Sequence, residues 1–392
     1  MTGKEDIVSA PLVSVVTPFY DTADYLAECI ESVLGQAYGN FEYVLVDNRS
    51  TDGSGEIAAQ YAARDARVRL IRSERHRPRI PNYNFALEQI SGDAKYCKMV
   101  QADDWIFPGC LAQMVEVAEA HPSVGVVSAY DLRERIVGEV GLHASTTFVP
   151  GRSAARLYLV DGIHLFGSPS TVMFRADLVR ARRPFFRDKR LHPDTEGVLD
   201  LLAGSDFGFV HQVLSFIREQ EDSVTGRARP FGPHSLDRLI NVKDHGRLHL
   251  DAEEYRRCLA SVRSAYYDDL AHHMWRQGRM LGALWAYHRE GLATIGEKPD
   301  WRHLGPALGK VLLDEVSNPG RLVRKIQRRL QGREPENALP ATLQLLEEGR
   351  ARRGAVPRDG QRETPADRPS RPADSRGDRV PYSEQAPPTW QQ

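Results

Sequence analysis

The chain has 392 residues, enough for about two domains. Its 52 basic and 53 acidic residues balance, so overall charge gives no reason to expect nucleic acid or an anionic membrane as partner. Four scattered cysteines with no C-x-x-C pair argue against a zinc cluster or a disulfide framework and fit a reducing compartment.

The N-terminal segment, residues 1–11, is short and polar and carries Glu5 and Asp6, so it reads as a flexible end and no signal peptide. No apolar run approaches the roughly 18 residues that a membrane span needs. A soluble, cytoplasmic protein is expected. The run Leu12-Val13-Ser14-Val15-Val16 predicts a buried strand stopped by Thr17-Pro18. Residues 23–36 place Tyr25, Leu26, Cys29, Ile30, Val33 and Leu34 at helical spacing. Tyr43-Val44-Leu45-Val46 is a second strand, and the turn formers of residues 47–53 precede a helix over 55–64. Val68-Arg69-Leu70-Ile71 is a third strand. A basic segment follows, with Arg72, Arg75, His76, Arg77 and Arg79, and then a helix over 83–90.

The strand over 96–100 runs into Gln101-Ala102-Asp103-Asp104-Trp105, and Pro108 opens a helix over 108–120. Two adjacent carboxylates where a strand gives way to a loop are costly to hold, because like charges repel and desolvation disfavours both. A divalent cation offsets that cost, and oxygen ligands suit magnesium or manganese. The same stretch also reads as a helix N-cap with solvated acids. Alternation of strand and helix predicts an α/β fold with a doubly wound, mostly parallel sheet, whose ligands bind beyond the carboxyl ends of the strands. The polar clusters at 17–21, 47–52 and 101–104 fall on that rim. There is no G-x-G-x-x-G and no G-x-x-x-x-G-K-[ST], so a phosphate there would be neutralised by a metal on Asp103 and Asp104 and by arginines such as Arg79.

The ordered set Val15-Val16-Thr17-Pro18-Phe19-Tyr20, then Val44 to Ser54 around Asp47-Asn48-Arg49-Ser50-Thr51-Asp52-Gly53, then Gln101-Ala102-Asp103-Asp104-Trp105 with Pro108, resembles the signatures of family-2 glycosyltransferases. Asn84 and Gly92 match that pattern too, and weaker similarity continues to about Gly226. The resemblance implies a GT-A fold over residues 12–226 and an inverting, metal-dependent transfer of sugar from a nucleotide diphosphate sugar to a glycan or lipid-linked acceptor. Such work serves surface polysaccharide or glycolipid synthesis in many family members. Carried over residue by residue, Pro18 and Tyr20 would line the nucleotide site and Asp47 and Asn48 would approach the base. Asp103 would approach the ribose or the metal, and Asp104 the metal, manganese or magnesium. Asn48 and Gln101 stand where the family commonly has aspartates, and an amide can still bond a pyrimidine edge.

Further on, residues 124–128 read as a strand, and the pattern loosens over 131–147, with Arg133, Glu134 and Arg135 expected to be exposed. Gly167-Ser168-Pro169-Ser170 precedes a strand-like Thr171-Val172-Met173-Phe174; the corresponding region of the resembled family faces the acceptor. In the stretch 191–202, Asp194 is a natural helix N-cap. In the resembled family a carboxylate at this helix start deprotonates the acceptor, which gives Asp194, or alternatively Glu196, the role of base. Residues 207–217 read as a strand. The family often has Arg-x-His next, but this chain has Arg218 followed by Gln220, so no ligand is expected there; His192 and His211 are more simply structural.

From 235 to 331 the periodicity is helical, with Leu259, Val262, Tyr266 and Leu270 on one face and Trp275 and Trp285 as packing residues. Residues 321–333 read as a solvated basic helix that also allows a peripheral contact with the inner face of a membrane. Residues 333–392 are rich in proline and arginine and poor in aliphatics, and are expected to be disordered. Two other classes compete with the transferase. A nucleotidyltransferase would need a glycine-rich phosphate loop, which Thr17-Pro18-Phe19-Tyr20-Asp21 is not. A catalytically inactive nucleotide-sugar-binding module would fit the departures at Asn48, Gln101 and Gln220.

Overall fold

The computed structural model describes residues 10–188, 192–219, 224–277 and 281–317. Gln220, the expected basic helix over 321–333 and the polar tail lie outside them, as do residues 1–9. Of the described residues, those up to 308 belong to one unit, and 309–317, the end of one helix, to another.

The first half alternates as expected: β1 (Val13–Phe19), α1 (Ala23–Leu34), β2 (Phe41–Asp47), α2 (Ser54–Arg64), β3 (Val68–Arg72), α3 (Arg79–Leu87) and β4 (Tyr96–Met99). A short β5 (Trp105–Ile106) precedes α4 (Cys110–Ala120) and β6 (Val124–Arg133). Then come β7 (Ile136–Val137), β8 (Phe148–Val149), α5 (Gly151–Arg156), β9 (Met173–Arg175), α6 (Ala176–Ala181), α7 (Pro193–Leu201) and β10 (Asp206–Ile217). The remainder is helical: α8 (Val224–Ala228), α9 (Pro233–His249), α10 (Ala252–Gln277), α11 (Leu281–Ala293) and α12 (Trp301–Ser317).

One sheet runs β3-β2-β1-β4-β9-β6-β10-β5, with β7 on β6 and β8 on β10. The β3-β2-β1-β4 ladders and the β6–β10 ladder are parallel; β9 is antiparallel to both its neighbours. β1 is buried along its whole length, which suits a central parallel strand covered on both faces. Over it lies α1, whose Leu26, Cys29, Ile30 and Val33 form the i, i+3, i+4, i+7 stripe that the sequence shows.

Thr17-Pro18 does not stop β1, which runs on to Phe19 and pairs Pro18 with Val46 of β2. The Val16 carbonyl accepts from Val100 on the β4 side, whereas the Phe19 carbonyl accepts from Asn48 on the β2 side. Alternation turns Pro18 toward β4, which has already ended at Met99, so its missing N–H breaks no ladder bond. Likewise α3 starts at Arg79, four residues before the helix the spacing predicts, because Pro81 falls in the first turn, where no N–H is needed. The strand ending at Arg133 carries a hairpin with β7, so the region expected to loosen is ordered at its start.

The C-terminal helices pack through apolar faces: Leu236, Leu239 and Ile240 of α9, Val262, Tyr266 and Leu270 of α10, and Leu284, Tyr287 and Leu292 of α11 are buried. Trp285 packs on Trp301 with ring centroids 5.6 Å apart, in keeping with a packing role. No helix among the described residues is long and apolar enough to cross a membrane.

Candidate active site

β1, β2 and β4 are adjacent and parallel, so their carboxyl ends share one rim. β2 and β3 lie on one side of β1 and β4 on the other, and the order of strands reverses between β1 and β4. That is where α/β sheets open a crevice.

The loops after β1 and β2 interlock. Thr51 N donates to Asp21 Oδ1 (2.7 Å) and Asp21 N to Ser50 Oγ (3.1 Å). Asp52 Oδ2 accepts from Ala23 N (2.8 Å) at the start of α1, supplying from another loop the cap that Thr22 does not give. Asp47 is buried and accepts from Ser50 N (2.8 Å). Asn48 is 2 % exposed; its Nδ2 donates to the Arg77 carbonyl (2.8 Å) and its Oδ1 accepts from Arg77 N (2.9 Å). The amide thus ties the basic segment to the end of β2, a positioning role that the carried-over base contact did not suggest. Tyr20 is exposed at the rim, edge-on to His76 at 4.5 Å, and Pro18 lies buried beneath it in the sequence. Arg79 sits at the first position of α3, its guanidinium 5.9 Å from the Tyr83 ring centroid. A cleft of about 610 Å³ flanks this segment, lined by Arg75, Arg77, Phe85, Pro184 and Phe186 among others. The Asn84 amide holds its far wall through both the carbonyl (2.8 Å) and the N–H (2.7 Å) of Phe186, which explains that residue's place in the motif set.

After β4 the acid pair differs in environment. Asp104 is 3 % exposed; its Oδ2 accepts from Ser170 Oγ (2.6 Å) and its Oδ1 from Arg218 N (3.0 Å). Burial first, and then the neighbouring Asp103 charge, push its carboxyl up to about 8. Asp103 is half-buried and is also raised by burial, against the opposing pull of Arg218. The Arg218 guanidinium donates to the Asp103 carbonyl (3.1 Å) and to Glu28 (2.9 Å), so a cation from the far end of β10 stands beside the pair. Ser170 is locked in turn by Gln101 N (2.9 Å) and by Lys98, whose ammonium donates to the Ser170 and Val172 carbonyls (2.7 and 3.3 Å). Lys98 is fully buried, which lowers its pKa. Gln101 Nε2 donates to Tyr83 Oη (2.8 Å).

The described residues bring no third acid or histidine to the pair, and no group of three His, Cys, Asp or Glu side chains suited to a metal is found among them. His192 is ion-paired with Asp237, and His211 is bonded to Tyr130 (2.9 Å) and the Thr146 carbonyl (2.8 Å), so both are structural.

Asp194 is not the N-cap of α7. His192 caps and Pro193 takes the first helical position, which puts Asp194 half-buried within the first turn. Glu196, 2 % exposed, meets Arg187 at 2.5 Å and His245 of α9 at 3.8 Å. Asp200, one turn on, meets Arg182 (2.5 Å), Arg187 (3.1 Å) and His245 (3.0 Å). Burial pushes His245 down, but the Asp200 and Glu196 carboxylates outweigh it and the net shift is upward. Burial likewise opposes ionisation of Asp200, yet His245 and Arg182 hold it well below the usual range. A raised histidine stabilises fully below its unfolded value of about 6.5, and that contribution disappears as pH rises through the folded value. The melting temperature should therefore fall on going from pH 6 to above the folded value, and His245→Gln should flatten that slope. Equal slopes in the two proteins would remove His245 from the account.

Comparison with known proteins settles the family. The sequence model of Glycosyl transferase family 2 matches residues 14–183. The putative glycosyltransferase EpsE of Bacillus subtilis is 32 % identical over 243 residues, 60 % of this chain and 81 % of that protein.

The chain belongs to glycosyltransferase family 2.

Glycosyltransferase GlyG of Streptococcus pneumoniae is 37 % identical over a shorter 123 residues, 31 % of this chain and 40 % of that one. In three dimensions this family-2 glycosyltransferase superposes on residues 1–349 of S. aureus TarS, crystallised with UDP-GlcNAc, with a TM-score of 0.54 at 16 % identity, covering 72 % of this chain and 80 % of that one. The shared fold is the mixed α/β GT-A architecture. Within it the matched segment holds the rim loops, the acid pair and Ser170, while α7 with Asp194 and Glu196 follows it.

Proposed function

We propose that this family-2 glycosyltransferase moves a sugar, with inversion, from a nucleotide diphosphate sugar to an acceptor hydroxyl. The observation that carries the reading is the acid pair at the β1/β4 crevice, where burial and mutual repulsion push Asp104 up to about 8. A carboxyl so placed is poised for a cation that restores its charge. Asp103 and Asp104 fit magnesium or manganese of the kind that takes one or two protein carboxylates and completes its shell from diphosphate and water. Bound there, the ion would supply the Lewis acidity that stabilises charge growing on the leaving diphosphate.

The chain's own residues do the rest. Pro18, Tyr20 and Asp47 border the nucleotide, with Asn48 fixing the loop that carries Arg77 and Arg79. Arg79 and Arg218 add fixed positive charge for the diphosphate. Asp194 accepts the proton of the acceptor hydroxyl as it attacks the anomeric carbon from the face opposite the nucleotide, which inverts that centre. Glu196, the alternative, is buried and engaged with Arg187 and His245, so Asp194 carries the proposal. Four free, buried cysteines support a reducing, cytoplasmic setting.

Thermal shift tests the donor site. UDP-GlcNAc, UDP and dTDP are added with and without manganese to the wild type, Asp103→Ala and Asp104→Ala. A ligand at 100 times its Kd adds about 2.7 kcal/mol to the native state, a shift of several degrees. A manganese-dependent shift for one nucleotide, lost in both variants, is expected. No shift with any nucleotide from a cooperatively melting wild type would sink the proposal.

A further inference from the structure

A chain of polar contacts, buried at Asp131, Glu139 and Thr171 and partly exposed at Arg133 and His164, links the acid pair to the first turn of α7. Beyond Ser170, which bonds Asp104, the next residue Thr171 donates from Oγ1 to Asp131 Oδ2 (3.0 Å); both Thr171 and Asp131 are completely buried. Arg133 bonds both Asp131 oxygens, from Nε (3.2 Å to Oδ1) and Nη2 (2.9 Å to Oδ2), and reaches Glu139 Oε1 (2.8 Å). The other Glu139 oxygen meets His164 Nδ1 (2.9 Å), and His164 Nε2 meets Thr195 Oγ1 (3.4 Å). Thr195 follows Asp194 and is 3 % exposed.

A second observation concerns the backbone. Glu139 is a non-glycine residue at φ 61°, a conformation that L side chains avoid, yet its carboxylate is buried and used at both oxygens. Strain is retained where it aims a side chain. A carboxylate on Nδ1 fixes the imidazole with its N–H there, leaving Nε2 to accept from the Thr195 hydroxyl. Of the residues expected to be exposed, Glu134 and Arg135 are, whereas Arg133 is half-buried because two buried carboxylates hold it.

We propose that Asp131, Arg133, Glu139 and His164 are positioning residues that set the first turn of α7, and with it Asp194, in register with the Asp103–Asp104 pair. The proposal rests on the transferase reading above and adds what aligns its two halves. Each acts through Thr195 or Thr171.

Amide hydrogen exchange tests this without an acceptor. The amides of Gly197, Val198 and Leu199 bond to carbonyls of the first turn of α7. In Glu139→Gln and in Thr195→Val their exchange should quicken at least tenfold, while β1, β2 and α10 stay as in the wild type. Unchanged exchange at these amides, or an increase spread across the molecule, would overturn the proposal. UDP release from UDP-GlcNAc in manganese gives the second readout. Both variants should turn over at least tenfold more slowly with UDP affinity within twofold, and Thr195→Ser should recover most of the rate. Rate and affinity falling together, or Thr195→Ser as slow as Thr195→Val, would mark a merely structural contact. A wild type that binds no nucleotide would instead sink the transferase reading and leave the exchange result to decide the relay.

Discussion

Asp104→Asn is expected to make the cation-free protein more stable while removing the manganese-dependent nucleotide binding proposed above. Between the unfolded value of about 3.9 and the folded value of about 8, the native carboxyl keeps a proton that the unfolded chain releases. The native state is therefore disfavoured progressively as pH rises through that window, and the loss levels off above it. Each unit corresponds to about 1.4 kcal/mol, so the effect at pH 6–7 is on the order of 2–4 kcal/mol. An asparagine never ionises and escapes it. Its Oδ1 can still accept from Arg218 N, although its amide must replace an acceptor for the Ser170 hydroxyl, at a cost of about 1 kcal/mol. The net result should be a rise of a few degrees in melting temperature in EDTA. The gap over wild type should be small at pH 5 and widen to pH 8. With manganese and UDP present the order should reverse, because only the carboxylate pair gains the ligand. A variant less stable than wild type at every pH, or a gap that ignores pH, would mean that the pair is not held against its own ionisation. Binding sites held this way commonly sacrifice stability for function.

The sequence makes the rim legible because it is local. Each strand of the β3-β2-β1-β4 group is a short apolar run followed at once by its polar loop, so period and punctuation place Asp47, Asp103 and Asp104 together without tertiary knowledge. Proline misleads at Pro18 and Pro81 for one reason: its missing N–H matters only where a partner strand or a preceding turn would use it. What the sequence cannot reveal is what surrounds the acids. Ser170 comes from a loop 66 residues beyond Asp104, and Arg218 lies 114 residues beyond. Lys98 is a charged residue within a short strand, and only the Ser170 and Val172 carbonyls explain its burial. Asn48 reads as a ligand-facing amide until Arg77 is seen to use both ends of it. Arg133 and Glu139 sit in a stretch with no periodicity and are brought together around the hairpin after β6, while His164 joins them from 25 residues beyond Glu139.

Asp194→Asn should separate binding from turnover more sharply than any other single change. The variant keeps the size and the first-turn place of the residue, so UDP affinity in manganese should stay within about twofold. Removal of a general base slows a reaction by about 10²–10⁴-fold, and transfer from whichever nucleotide sugar the thermal-shift panel selects, read as release of its nucleotide, should fall by that order. Glu196→Gln is the informative control, because the sequence pattern leaves either carboxyl as the base. Glu196 is buried against Arg187 and His245, and neutralising it leaves Asp200 as the acid that faces both cations among the described residues. Arg187 is half exposed and solvent screens part of the loss, so the expected destabilisation is about 1–3 kcal/mol, with modest change in rate at temperatures where the protein stays folded. The two phenotypes are opposite: one variant folds like wild type and does not turn over, the other turns over and melts early. An exchange of those phenotypes would move the base to Glu196 and make Asp194 a first-turn acid that merely favours the helix dipole. Loss of UDP affinity in Asp194→Asn would place that carboxyl on the donor side of the crevice, where it could not attack from the face opposite the nucleotide, and inversion by this residue would be ruled out.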